Sequence, residues 1–300
     1  MRIACGVVLL LTMARAGAAQ GAIKVDVDVV NVLCTVYDKQ GALIKDLTKD
    51  DFRIREDGRQ QQIRYFARET DLPLTVALLV DMSGSVSQFI RAEKGTAAQF
   101  FHDVLRPEDH ALLIGFSSTI VLWQNFTASV QELSAALARM HGVAFHGLPP
   151  LGQPMPSTLL YGAVYSTAGD KLKTVPGRKA MVIISDGLDN GSPVQLEQAV
   201  RAVQTTNTVV FGICYENSRV PGCSYLKSLS EPTGGRMFRV DAKTSLAKIF
   251  QTIEEELRSQ YSLGYVSTNP ARDGKFRKLR VEMRGKGLKV EMRGKGLKVE

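Results

Sequence analysis

Four almost uninterrupted apolar runs constrain the fold of this chain more than any other feature: Leu74 to Val80, Ala111 to Phe116, Met181 to Ile184 and Val209 to Ile213. A strand with one wet face alternates apolar and polar side chains. A strand that is apolar throughout needs cover on both faces, and a parallel sheet between two helical layers provides it. The intervening segments supply the helices. Phe89, Ala92, Ala97, Phe100 and Val104 mark one helical face, and Leu246, Ile249, Phe250, Ile253 and Leu257 mark another. Leu196, Ala199, Val200 and Val203 mark a third, with Ser192-Pro193 reading as its cap and first turn. Strand and helix in this alternation predict an α/β fold, a doubly wound, mostly parallel sheet. At 300 residues and 44% hydrophobic content the chain has the material for a full core.

The segments on either side read differently. Val25, Val27 and Val29 alternate with Asp26 and Asp28; the phase then shifts to Val30, Val32, Cys34 and Val36, as a bulge would produce. Asp38-Lys39-Gln40-Gly41 is a turn signal, and Asp57-Gly58 between Phe52-Ile54 and Ile63-Tyr65 is a hairpin signal. Strands return after Arg258, at Tyr261 to Val266 and Phe276 to Met283. The two flanks are expected to form one small β-rich module from both ends of the chain. The tail holds a nine-residue duplication, Val281 to Lys289 repeated as Val290 to Lys298. Two copies fall short of a solenoid, and a β-hairpin turning at each Arg-Gly-Lys-Gly is the expected form.

Residues 1–19 have the pattern of a cleaved export signal: Arg2, an apolar run from Ile3 to Met13, then small residues through Ala19. That run is too short to span a bilayer, and no later segment reaches spanning length. The expected organisation is therefore a signal at 1–19, a β segment at 20–72, an α/β domain at 73–257 and a β segment at 258–300. The mature chain would sit in the periplasm, on the cell surface or in the medium, where disulfides can form. Cys214 and Cys223 flank a short loop with a Pro221-Gly222 turn, which makes a bridge plausible, although spacing alone leaves the pairing open. Cys34 reads as a buried apolar residue. The formal charge of +8 is concentrated in the tail, where Lys275 to Glu300 carry ten Lys/Arg against three Glu. No basic face is implied for the body and no specific nucleic-acid partner; the tail could touch anionic surfaces.

The chemistry-bearing residues sit where the apolar strands end. Leu74 to Val80 runs into Asp81-Met82-Ser83-Gly84-Ser85, whose spacing by two can aim Asp81, Ser83 and Ser85 at one centre. Met181 to Ser185 ends in Asp186-Gly187, and a loop delivers Ser157-Thr158 onto the helical stretch Leu159 to Val164. In a parallel sheet, ligands bind beyond the carboxyl ends of strands. Three hydroxyls and two carboxylates are hard oxygen ligands, suited to Mg²⁺, Mn²⁺ or Ca²⁺. The loop 142–157, with four prolines, is a candidate recognition surface or a stiff connector, and His141 and His146 lack the partners of a metal site.

Asp81-Met82-Ser83-Gly84-Ser85, Thr158 and Ser185-Asp186-Gly187, in this order and separation, resemble the metal-ion-dependent adhesion site of von Willebrand factor A domains, and the similarity extends over residues 73–257. The resemblance implies a Rossmann-like α/β domain with Ser83, Ser85 and Thr158 as direct metal ligands and Asp81 and Asp186 acting partly through water. It also implies a protein partner captured through an acidic residue. The flanks resemble those of exported bacterial proteins carrying this domain; the duplication departs from the usual ending. The resulting expectation is an exported, metal-dependent binding module. An envelope-associated structural protein whose metal only stabilises the fold is the alternative. A hydrolase is disfavoured, because no G-x-S-x-G elbow or placed His base is present.

Overall fold

A computed structural model describes residues 29–38, 40, 42–68, 72–84, 86–141, 157–215, 222–271, 276–284, 289–292 and 297–298. The expected signal, the strand start before Val29, Ser85, most of the proline-rich loop with His146, and the turns inside the duplication lie outside these residues. The chain opens with strands β1 (Val29–Tyr37), β2 (Phe52–Glu56), β3 (Arg59–Gln61) and β4 (Ile63–Arg68). The α/β part comprises β5 (Leu74–Asp81), α1 (Ser87–Val104), β6 (His110–Phe116), β7 (Ile120–Thr127), α2 (Val130–Arg139), α3 (Leu160–Ser166), β8 (Arg178–Ser185), α4 (Leu196–Thr205), β9 (Thr208–Cys214), α5 (Cys223–Ser230), β10 (Met237–Arg239) and α6 (Leu246–Leu257). The chain closes with β11 (Tyr261–Val266), β12 (Phe276–Arg277), β13 (Leu279–Met283), β14 (Lys289–Met292) and β15 (Leu297–Lys298).

The four apolar runs become β5, β6, β8 and β9, the middle of a six-stranded sheet ordered β10-β9-β8-β5-β6-β7. All neighbouring pairs are parallel except β6 with β7. Alternate side chains of β5 feed two separate cores. Leu74, Val76, Leu78 and Val80 pack with Phe101 of α1, Leu133 of α2 and Ile249 of α6. Ala77 and Leu79 pack with Ala163 of α3, Val203 of α4 and Leu226 of α5. Both faces are dry, which is why the strands tolerate no polar alternation. Each fully buried Leu or Val contributes about 1.5–3 kcal/mol, so this layering is the main source of stability. The helical faces of α4 and α6 form as the periodicity predicts, whereas the side chains of Phe89 and Ala92 in α1 lie outside those described.

The flanks do assemble into one module. β1 lies between β11 and β14, with β4 on the far side of β11, and a second sheet is ordered β13-β2-β3. Val30, Val32, Cys34 and Val36 of β1 point inward with Phe52, Ile54, Tyr261, Leu263 and Leu279. Arg236 connects the two parts: its guanidinium pairs with buried Glu256 and lies 5.9 Å from the Tyr37 ring centre.

Three sequence expectations change, and one strand is added. The Asp57-Gly58 hairpin is real, with φ of 47° and 84°, but it joins β2 to β3. The segment from Ile63 crosses to the other sheet as β4. Among the described residues the strands of the duplication pair elsewhere and not with each other: β13 with β2, β14 with β1 and β15 with β12. The Val-Glu-Met shared by β13 and β14 takes different neighbours because partner strands, not local pattern, supply the missing hydrogen bonds. Ser192-Pro193 does not start α4, which begins at Leu196 with Gln195 as its cap residue. Finally β7, an edge strand, follows β6 after a tight Ser117–Thr119 turn that the mixed polarity of Ile120 to Thr127 concealed.

Candidate functional site

The site grows out of strand register. β5 and β8 are adjacent and parallel, with Val80 opposite Ile184, so Asp81 and Ser185 finish side by side. From β5 the chain moves outward through α1 to β6, and it later returns to the opposite side of β5 as β8. The gap between the ends of β5 and β8 is therefore the point where the winding reverses and where ligands of such sheets bind.

Asp81 is fully buried at this point and is held by Ser185 and Ser83. The Ser185 hydroxyl donates to Oδ2 at 2.6 Å, and the Ser83 amide donates to Oδ1 at 2.9 Å. The second bond is an Asx-type turn, which bends the chain after β5 and sets Ser83 at the rim. The Met82 amide bonds the Phe116 carbonyl at 2.7 Å and fixes this turn to the end of β6. Burial runs from Asp81 (0% exposed) and Asp186 (4%) to a half-buried Ser83 and an exposed Gly84, so the site opens outward along the turn.

Asp186 follows directly on β8. Its Oδ1 accepts the Leu188 amide at 3.1 Å, and the Gly187 amide donates to Ser185 Oγ at 3.0 Å. Gly187 has φ +86°, and a Cβ there would come within 2.1 Å of the Gly222 carbonyl oxygen. Only glycine fits.

Thr158 reaches the same edge from the other face of the sheet. Its amide donates to Asn190 Oδ1 at 2.6 Å, and the Asn190 amide donates back to the Thr158 carbonyl at 3.2 Å. The next residue, Leu159, donates to the carbonyl of Ser117, immediately past β6. Asp189 Oδ2 then accepts from the Tyr161 amide at 2.7 Å, and Ser192 Oγ accepts from the Gly162 amide at 2.8 Å. These bonds satisfy orphan donors at the start of α3. Asp189 closes a local turn by accepting from the Gly191 and Ser192 amides, and Asp189, Asn190 and Ser192 together tie the Asp186 segment to the Thr158 segment; Ser192, expected to cap α4, serves α3. The cluster of Asp, Asn and Ser at 189–192 signalled capping; the sequence could not show which helix it serves.

The structure thus brings Asp81, Ser83, Thr158 and Asp186 to one edge, while Ser85 lies outside the described residues. The sequence did not single out Ser185 as a positioning group, although its hydroxyl donates to Asp81 at 2.6 Å. His141 is elsewhere, its Nδ1 against the Arg139 carbonyl and its ring 5.7 Å from Trp123.

Burial pushes the Asp81 carboxyl up to about 6, against the lowering effect of its bonds to Ser185 and Ser83, and the like charge of Asp186 adds to the rise. A cation between the two carboxylates would relieve both penalties. The donor set fits a hard divalent ion: two carboxylates plus the hydroxyls of Ser83 and Thr158. Among the described residues no three His, Cys, Asp or Glu side chains cluster as a metal group, so a soft, imidazole- or thiolate-rich centre is not offered there.

No protein-family model and no curated protein matches this sequence. Solved structures do. The chain is similar to proximal thread matrix protein 1 from the mussel byssus, with a zinc-occupied MIDAS motif, at 13% identity over 66% of this chain and 48% of that one, TM-score 0.51. It therefore spans about half the length of that protein. It is also similar to the vWF domain of the type V pili tip protein Mfa5 from Porphyromonas gingivalis, at 12% identity over 61% of this chain and 94% of that one, TM-score 0.48. A third match is the conserved hypothetical protein BatB from Bacteroides thetaiotaomicron, at 13% identity over 61% and 97%, TM-score 0.46. The neighbours are von Willebrand factor A domains, and the six-stranded sheet of this chain has that Rossmann-like fold.

Proposed function

We propose that a chain with this fold is an exported binding module that holds one divalent cation, Mg²⁺, Mn²⁺ or Ca²⁺, at Asp81, Ser83, Ser85, Thr158 and Asp186 and captures an acidic residue of a protein partner. The observation that carries this reading is the buried carboxylate of Asp81, held by Ser185 and Ser83 with Asp186 as its charged neighbour, at the reversal point of the sheet. Once bound, the cation would supply a positive, electrophilic centre with a coordination position for a partner carboxylate. The chain's residues do the rest. Neutral hydroxyls at Ser83 and Thr158 leave much of the positive charge unquenched, and the exposed Gly84 leaves the rim accessible. Asn190 holds Thr158, and Asp189 holds Tyr161 at the start of the helix that follows, before any ion arrives, so little ordering has to accompany binding.

Residues 73–257 are the binding unit in this account, and the two flanks are one supporting module. The mussel thread protein's MIDAS motif with zinc and the pilus tip protein among the neighbours support a binding role over a catalytic one. No described helix is long and apolar enough to cross a membrane. The test is capture from envelope or culture extracts by the immobilised full chain, with EDTA and with Mg²⁺ restored, against Asp81→Ala as control. The reading predicts proteins retained only with metal and only by the wild type. Capture that survives EDTA, with a melting temperature that still rises on adding Mg²⁺, would favour the metal as a fold stabiliser alone.

A further inference from the structure

The segment bearing Asp186 leaves the sheet after Ser185, and from there its backing comes from the end of β9 and the start of α5. Ser185 lies opposite Cys214 in the β8–β9 register, and the Tyr215 amide bonds the Ser185 carbonyl at 3.1 Å. Cys214 is bridged to Cys223, the first residue of α5, across a sequence separation of nine. Both cysteines are buried. The bridge touches the candidate site directly: Cys214 Sγ lies 3.8 Å from the Asp186 carbonyl oxygen. On the α5 side, a Cβ on Gly222 would come within 2.1 Å of that same oxygen, and one on Gly187 within 2.1 Å of the Gly222 carbonyl oxygen. The Asp186-Gly187 backbone is thus wedged between the two residues that the disulfide ties together.

We infer that the Cys214–Cys223 bridge is a positioning element of the cation site: it clamps Gly222 and Cys223 against Asp186-Gly187 and makes cation binding depend on the oxidised state of the two cysteines. This rests on the proposed cation site and adds its regulation. With the bridge closed, Asp186 meets the cation from a fixed backbone. With the bridge open, the start of α5 loses its covalent tie to β9, and Asp186 must be ordered when the ion binds, which lowers affinity. Reduction moves two electrons from an external dithiol, which closes to its own disulfide, and leaves Cys214 and Cys223 as thiols. The site would therefore mature only where thiols are oxidised, so that the chain is silent before export and competent after it.

The experiment titrates Mn²⁺ into the oxidised full chain, the Cys214→Ala/Cys223→Ala variant and Gly222→Ala, each well below its melting temperature. The inference predicts affinity at least tenfold weaker in both variants. A wild type that binds no Mn²⁺ ends the cation reading itself. A wild type that binds, with the bridgeless variant within twofold of it, overturns the clamp and leaves the cation reading standing. If the bridgeless variant does not fold, the reciprocal coupling decides. Cys214, Cys223 and Cys34 are alkylated in wild type under a dithiol reductant, with and without saturating Mn²⁺, and followed by mass spectrometry. Slowing of at least tenfold at Cys214 and Cys223 beyond that at Cys34 supports the clamp. Equal slowing at all three reports general stabilisation and overturns it.

Discussion

At the scale of single residues, Asp81 sets stability against function. Its carboxyl is raised from 3.8 to about 6 by burial in the metal-free protein, above its value in the unfolded chain. The folded state therefore takes up a proton first as pH falls, and this group's contribution to metal-free stability rises between pH 6 and 3.8 and is lower at neutral pH. The shift corresponds to about 3 kcal/mol at most. Asp81→Asn should accordingly be more stable than wild type in EDTA at pH 7.5, with the difference shrinking toward pH 5, as read from urea unfolding at both values. An unchanged difference would place the penalty elsewhere. Ser185 carries the complementary prediction. It donates to Asp81 and accepts from Gly187 with no exposure to solvent, so Ser185→Ala should cost about 1–3 kcal/mol. The same variant should weaken Mn²⁺ binding, although Ser185 is no proposed ligand; a loss of stability without a loss of affinity would make it a packing residue only. Asp81, Ser83 and Asp186 could be named as candidates because they stand where apolar strands end, and Thr158 because a loop delivers it onto a helical stretch. Ser185 could not, because its role depends on which strand lies beside β8.

At the scale of elements, the start of α3 and the segment after β8 behave as one unit. Asp189 accepts from the Tyr161 amide and from those of Gly191 and Ser192, so Asp189→Ala removes a cap and a local turn together. The expected cost is about 1–2 kcal/mol by denaturant midpoint, with weaker cation binding through a displaced Thr158. Affinity equal to wild type would separate the cap from the site. The element scale is also where sequence and structure diverge most. Apolar runs and helical periodicity marked the strands and helices whose burial is set by their own side chains. Strands β13 and β14 of the duplication share Val-Glu-Met, and β7 carries mixed residues. Their places were decided by the edges left open by β1, β2, β6 and β12, which no local pattern records.

At the scale of the whole molecule, the chain is stitched by its ends. β1 has β11 and β14 as its neighbours and β2 has β13 beside it, all from beyond residue 260. Removing 260–300 leaves Val32, Cys34, Phe52 and Ile54 without Tyr261, Leu263, Leu279 and Val281. The truncated chain should lose residues 29–68 to limited proteolysis while the six-stranded sheet persists; a resistant N-terminal fragment would show that the flank folds alone. This whole-molecule closure was readable in outline, since β patterns bracket the α/β repeat on both sides. The disulfide was readable only as an option, because a separation of nine permits a bridge without fixing the geometry that closes it. Convergence of three distant stretches on one cation remains the claim on which the function depends. Calorimetric titration of Mn²⁺ into wild type, Asp81→Ala, Thr158→Ala and Asp186→Ala tests it most directly. The account predicts one ion per chain in the wild type and a loss of at least tenfold in affinity for each variant. A wild type that takes up no ion, or variants that all bind as the wild type does, would contradict it.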